Sequence, residues 1–179
     1  MFDALAALAV PWSDVIVLQV DERVAPDGDP DRNAVQLQAH LVAAVGLRPA
    51  QVKWMPVGGS SLTRAAARYA VVVDSLQPID IVHLGIGDDG HTASWPPGDP
   101  VVESHRLVDM SRAFNGRRRM TLTPGPVNAA RLRIVLATGG KKAAMIERWL
   151  AGDPSLPISR VRHTATMLIA DRPAVSTVR

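Results

Sequence analysis

Between Val52 and Leu84 the chain alternates an extended run, a helical stretch and a second extended run, and this succession limits the fold more than any other feature. Val52 to Val57 reads as a short strand. Gly58-Gly59-Ser60-Ser61 then opens a helix through Ala65 to Leu76, with a serine available as N-cap, and Ile79 to Leu84 reads as the next strand. Parallel strands need a crossover of this length, so the spacing is that of a βαβ unit and predicts a parallel sheet covered by helices.

The flanking segments extend the pattern. Val15 to Val20 is a β-branched apolar run that ends in an acidic, Pro/Gly-rich stretch from Asp27 to Pro30, as a buried strand followed by a loop would. From Asn33 to Val45 the apolar residues Val35, Leu37, Leu41, Val42 and Val45 recur at helical spacing, with Gly46 as the stop. Further on, extended runs are expected at Leu107 to Ser111, Arg119 to Thr123, Ile134 to Ala137 and Met167 to Ala170. Helices are expected near Val127 to Arg131 and over Lys141 to Leu150. A chain of 179 residues fits one α/β domain over residues 1–179, built on an open, mostly parallel Rossmann-like sheet flanked by helices.

Composition bears mainly on partners and chemistry. The chain has no cysteine, which excludes disulfides and thiolate metal sites and suits a reducing cytoplasm. No apolar run approaches the roughly 18 residues of a membrane span, and Met1-Phe-Asp-Ala-Leu lacks a basic leader, so no membrane partner is expected. The net charge of +3 is carried almost wholly by arginine, since Lys53, Lys141 and Lys142 are the only lysines. Arginine suits a bidentate grip on phosphate or carboxylate. Arg117-Arg118-Arg119 is the obvious candidate for a nucleic-acid patch, but aromatic residues for stacking bases are only 4% and no groove-reading motif is present. A solvated arginine-rich surface is the expectation, with no nucleic acid as partner.

In open parallel α/β sheets, ligands bind beyond the carboxyl ends of the strands. Asp21-Glu22-Arg23 follows the first strand, Gly85 to His91 follows the Ile79 to Leu84 strand, and Thr138-Gly-Gly-Lys-Lys142 follows the Ile134 to Ala137 strand. These three polar clusters are expected on one rim. In Gly85-Ile-Gly-Asp-Asp-Gly-His91 the glycines permit a sharp turn with exposed amides, and a histidine at its exit can take a proton from water near neutral pH. Asp89 is the first candidate to orient it. On glycine spacing alone, the same run also fits a Gly-rich turn carrying a surface histidine. His83, inside an apolar strand, reads as a core histidine, and Arg23 also fits a simple pairing with Asp21.

The run Gly85-Ile-Gly-Asp-Asp-Gly-His-Thr-Ala-Ser94, with Pro97-Gly98 after it, resembles the Gly-x-Gly-x-Asp-Gly-His-Thr-Ala-Ser signature of the 6-phosphogluconolactonase family. Asp21-Glu22-Arg23 resembles that family's Asp-Glu-Arg segment, and Asp31-Arg32-Asn33 resembles its Asp-Ser-Asn, with Arg32 in place of serine. Arg119-Met-Thr-Leu-Thr123 and Thr138-Gly-Gly-Lys-Lys142 are similar to its Arg-x-Thr-Leu-Thr and Thr-Gly-x-x-Lys runs. The similarity extends from about Met1 to about Asp171. Arg23 and Thr92-Ala93-Ser94 favour the lactonase branch over the related glucosamine-6-phosphate deaminases.

The resemblance implies hydrolysis of 6-phosphogluconolactone to 6-phosphogluconate, in the oxidative pentose phosphate pathway, with no cofactor and no metal. His91, Asp89 and Arg23 are then the expected catalytic residues. Asp21, Gly87, Gly90, Thr92, Arg119 and Lys142 are the expected substrate-binding residues, with amides around Gly87 to Gly90 for the oxyanion. The expected ligand is a small phosphorylated sugar lactone. The family also opens with a strand, a helix and a second strand ending in a Ser-Gly-Gly-Ser/Thr-Thr-Pro phosphate loop, whereas Met1-Phe-Asp-Ala-Leu is similar to the helix after that loop. The expected fold is therefore N-terminally truncated relative to the family, with an exposed sheet edge prone to self-association. A non-catalytic homologue that keeps only a sugar-phosphate-binding or interaction surface is the alternative function.

Overall fold

The computed structural model describes residues 1–178 and holds the parallel βαβ framework in two pieces. Strands β1 (Val17–Leu18) and β3 (Val52–Lys53) pair in parallel. Strands β4 (Ile81–Gly85), β7 (Leu132–Ala137) and β8 (Thr166–Ala170) form a second parallel sheet in the order β4-β7-β8. Interleaved with them in chain order are the strands of an antiparallel sheet, β2-β6-β5, made of β2 (Asp21–Arg23), β5 (Val108–Phe114) and β6 (Arg117–Leu122). The expected single open sheet is thus divided, though its α/β, mostly parallel-with-helices character is present.

The division corrects one reading of the first strand. Only Val17–Leu18 of the apolar Val15 to Val20 run is strand, and Asp21–Arg23 is not the loop after it but a strand of its own. Asp21 pairs with Thr121 and Arg23 with Arg119. The switch happens at Gln19, whose amide donates to Tyr69 Oη (2.9 Å) and whose carboxamide donates to Glu22 (2.9 Å) and accepts from the Met55 amide (2.8 Å). The Gln19 amide keeps a long 3.4 Å bond to the Lys53 carbonyl of β3 while side-chain partners take over, and the backbone leaves one sheet to join another.

Helix α4 (Leu62–Ser75) buries Ala65, Ala66, Tyr69 and Val73, a stripe at helical spacing. Ser61 occupies its N-cap position, but the hydroxyl makes no capping bond. After a short helix α1 (Phe2–Ala6), the Asn33 to Val45 helix is present as α2 (Asn33–Leu37), a π-helical segment Gln38–Val42 and α3 (Ala43–Val45), and Gly46 ends it in the left-handed region at φ 67°. The short proline-started helix lies a little earlier than expected, as α5 (Pro124–Ala129). The last helix begins as a 3₁₀ turn, Gly140–Lys142, before α6 (Ala143–Leu150).

Buried residues form one large core, in which Val82, Leu84 and Val135 of the parallel sheet meet Met120 and Leu122 of β6, Ile146 and Trp149 of α6, and Trp95. A smaller cluster joins Leu37, Leu41, Val42, Leu47 and Val52. The other face of the β4-β7-β8 sheet has no cover. Ile81, Met167 and Ile169 are 58%, 50% and 45% exposed, although register sets them beside the apolar Leu132, Ile134 and Leu136. Parallel sheets are ordinarily covered on both faces, so this open side departs from the pattern of its class.

Candidate active site

The turn after β4 is set by its glycines. Gly90 has φ +82°, and a Cβ there would meet Leu156 Cδ2 at 2.8 Å; a Cβ on Gly87 would overlap the His91 ring. Only glycine admits the histidine so close to the backbone. Inside the turn, Asp89 Oδ1 lies 2.5 Å from His91 Nδ1 and 3.1 Å from the His91 amide. Partial burial works to raise the Asp89 carboxyl, but the His91 amide and imidazole outweigh it and hold it below its ordinary value. With Nδ1 facing a carboxylate, the proton of a neutral ring sits on Nδ1 and Nε2 is left to accept.

The same turn corrects the oxyanion expectation. The Gly87 amide donates to the His91 carbonyl (2.7 Å) and the Gly90 amide to the Gly87 carbonyl (3.1 Å), so both are used in closing the turn. Gly87 lines the cavity described below, whereas Gly90 does not.

A cavity of about 340 Å³ opens beside His91 and is lined by Asp21, Arg23, Asn33, Gly87, Thr92, Arg119 and Lys142 among others. The three sequence-predicted clusters therefore meet at one place, as the strand-end rule requires. A larger and separate groove of about 860 Å³ lies between the α2–α3 region and Trp54 to Gly59, away from this chemistry.

Each wall of the smaller cavity has a distinct electrostatic character. The Asp21 carboxylate accepts from Ser94 Oγ (2.5 Å) and Asn33 Nδ2 (3.2 Å). Burial pushes the Asp21 carboxyl above its ordinary value, against the Ser94 hydroxyl and the Arg119 charge. Arg119 is buried, and its Nε has no hydrogen-bond partner among the described residues. Burial, then the nearby Arg23 cation, lowers its pKa, yet a guanidinium remains charged at neutral pH. A buried donor without a partner is costly unless a ligand completes it. Arg23 donates through Nη1 to the Asp31 carbonyl (2.7 Å) rather than pairing with Asp21. Lys142 stands 3.9 Å from Asp88 at the mouth. Thr92 lines the wall but donates its hydroxyl to the Gly85 carbonyl (2.7 Å), so it braces the turn.

Three residues to which sequence reasoning gives no site role also belong to this region. Asn33 and Ser94 hold Asp21 from opposite sides, at sequence separations of 12 and 73 that no local pattern reveals. His83 is not a core residue. It lies on the open face of β4 and lines the cavity, and partial desolvation there lowers its pKa.

The basic run is also resolved. Arg117 pairs with Asp29 (3.1 Å) and Asp31 (3.0 Å), Arg118 is exposed, and Arg119 points inward, so the three do not form one surface patch. Arg32, where the family pattern has serine, is buried against Glu22 (3.4 Å) and Asp27. Glu22 in turn accepts the Asn33 (2.8 Å) and Ala34 (2.9 Å) amides at the start of α2. Among the described residues, no cluster of three or more His, Cys, Asp or Glu side chains is placed to hold a metal ion, and no helix is long and apolar enough to cross a membrane.

Residues 1–170 match the family described as glucosamine-6-phosphate isomerases/6-phosphogluconolactonase. The chain belongs to that family. Within it, the chain is 33% identical over 190 residues to a 6-phosphogluconolactonase of Streptomyces coelicolor, covering 94% of this chain and 72% of that protein. It is also 33% identical over 174 residues to one of Mesorhizobium japonicum, covering 92% of this chain and 72% of that protein. The 6-phosphogluconolactonase of Thermotoga maritima superposes with a TM-score of 0.86 at 22% identity, over 94% of this chain and 78% of that one, which establishes the shared fold. A monomeric glucosamine-6-phosphate deaminase superposes at 0.79 with 22% identity, over 90% of this chain and 74% of that one. Within the family fold, the site described above lies at the ends of the parallel strands.

Proposed function

We propose that this family member hydrolyses 6-phosphogluconolactone to 6-phosphogluconate, with His91 as the general base. The observation that carries the reading is the Asp89–His91 pair at 2.5 Å, with His91 on the wall of a cavity also lined by Arg119, whose Nε has no hydrogen-bond partner among the described residues. Opening an intramolecular ester needs an activated water, a stabilised oxyanion and a hold on the remote phosphate. In this reading His91 Nε2 takes a proton from water as the water oxygen bonds to the lactone carbonyl carbon. Asp89 steadies the imidazolium that results. The carbonyl oxygen gathers charge in the tetrahedral intermediate, and Arg119 is the donor assigned to it. The bond from that carbon to the ring oxygen then breaks, and His91 returns the proton to the ring oxygen, leaving a carboxyl group and a free hydroxyl. Lys142 and Arg23 are assigned to the phosphate and sugar oxygens, and Asp21, held by Ser94 and Asn33, to a sugar hydroxyl.

The uncovered β4-β7-β8 face supports self-association as part of the same proposal, and replacing Met167 and Ile169 with serine is expected to shift sedimentation toward monomer. The cytoplasm is the proposed compartment, which cell fractionation checks. The hydrolase reading is tested by following 6-phosphogluconate as it appears from fresh lactone. A product rate above spontaneous opening, proportional to protein concentration, supports it. A rate equal to the spontaneous one defeats it and favours the non-catalytic alternative.

A further inference from the structure

Phe114 lies outside the cavity lining, yet it touches two of the residues that matter most there. Its ring is 5.1 Å from the His91 ring at an interplanar angle of 67°, an edge-on contact. The Arg119 Cζ stands 5.3 Å from the centroid of the same ring, in cation–π range. One aromatic side chain is therefore shared by the imidazole and the guanidinium.

The backbone explains how a residue of β5 reaches that position. In the β5–β6 ladder Ser111 pairs with Arg119 and Phe114 with Arg117, so three steps on one strand match two on the other. This is a one-residue bulge. Without it, residue 113 would stand opposite Arg117; with it, Phe114 does, and Phe114 shares the face of Arg117 and Arg119. Asn115 and Gly116, at φ 51° and 77°, close the hairpin immediately after and fix the register.

We propose that Phe114 is a positioning residue that fixes the His91 ring and the Arg119 guanidinium relative to each other. The inference rests on the hydrolase reading for its catalytic consequence. Asp89 holds only the Nδ1 side of His91, and one such bond leaves the ring plane free to tilt. Arg119 Nε has no acceptor among the described residues, so its plane is set by packing. The ring of Phe114 supplies both constraints, holding the proton acceptor and the proposed oxyanion donor in a fixed relation to each other.

The test compares Phe114→Leu and Phe114→Tyr with the unaltered chain, by steady-state lactone hydrolysis and by the NMR resonances of the His91 ring, assigned by their loss in His91→Gln. With Phe114→Leu, the His91 resonances are expected to lose their ring-current displacement, kcat to fall roughly tenfold and KM to rise several-fold, while Phe114→Tyr stays within about twofold. If Phe114→Leu is unfolded at the assay temperature, Phe114→Met takes its place. Unmoved His91 resonances, or unchanged kcat and KM, overturn the proposal. If the unaltered chain shows no turnover, the hydrolase reading fails separately, and the positioning role is decided by ¹³C relaxation of the His91 ring, which must show greater ring mobility in Phe114→Leu than in the unaltered chain and is contradicted by equal mobility.

Discussion

A single carboxylate oxygen of Asp89 contacts His91 twice, 2.5 Å from ring Nδ1 and 3.1 Å from the backbone amide. The turn therefore fixes the tautomer and anchors the Nδ1 edge of the ring through one atom. Asp89→Asn keeps an acceptor but removes the charge that stabilises the imidazolium. Its kcat is expected to fall by roughly a hundredfold with KM changed by less than about threefold. A kcat within a factor of about two of wild type would separate Asp89 from the chemistry.

Asp21 makes a prediction about stability and pH. Its carboxyl is held above the ordinary value of about 3.9 by burial, so across the window above that value the folded chain binds more proton than the unfolded one. Stability contributed by this group must fall as pH rises from that value through the raised one. Asp21→Asn should flatten that part of the profile in urea unfolding between pH 3 and pH 7, and be no less stable than wild type at the upper end. Parallel profiles for the two proteins would contradict the assignment.

Arg119 is a buried cation whose Nε has no acceptor among the described residues, an uncompensated cost to the fold. Arg119→Leu is expected to keep or raise thermal stability, because a desolvated charge is replaced by a packed side chain. Hydrolysis should drop by about a hundredfold in kcat/KM. Arg119→Lys should recover little of it, since a point charge on a flexible stem does not reproduce the planar fork. Full recovery by lysine would show that only charge is needed.

Gly87 gives a steric prediction. A methyl group at this position would occupy the space of the His91 ring and lie 2.5 Å from Asp89 Oδ1. Gly87→Ala is expected to abolish measurable turnover while costing about 1–3 kcal/mol of stability. Crystallography or NMR of the variant should find the imidazole displaced, and an active variant with an undisturbed ring would refute the packing described for this turn.

The parts of this account legible in the sequence are those carried by short-range pattern. The helical stripe of α4, the Gly46 stop and the Gly-Asp-Asp-Gly-His turn each depend on residues within a few positions of one another, where periodicity and φ preference act directly. The departure at Asp21–Arg23 was not legible, because apolar alternation cannot show that Gln19 finds side-chain partners and lets the strand change sheets. His83 was misread for a related reason: an apolar strand implies a covered face, and this face of β4 is open. The glycine amides looked available for an oxyanion because sequence shows a turn's glycines but not which carbonyls close it. Phe114 was invisible, since its role depends on a one-residue bulge.

The central claim is that His91 is the base that activates water. Its most direct measurement is hydrolysis of fresh 6-phosphogluconolactone by wild type and His91→Asn, corrected for spontaneous opening, with binding of 6-phosphogluconate to both proteins measured alongside. The account predicts a wild-type rate well above background, a fall of at least about a hundredfold in His91→Asn, and product affinity within about twofold between the two. A rate above background that His91→Asn leaves intact would contradict it.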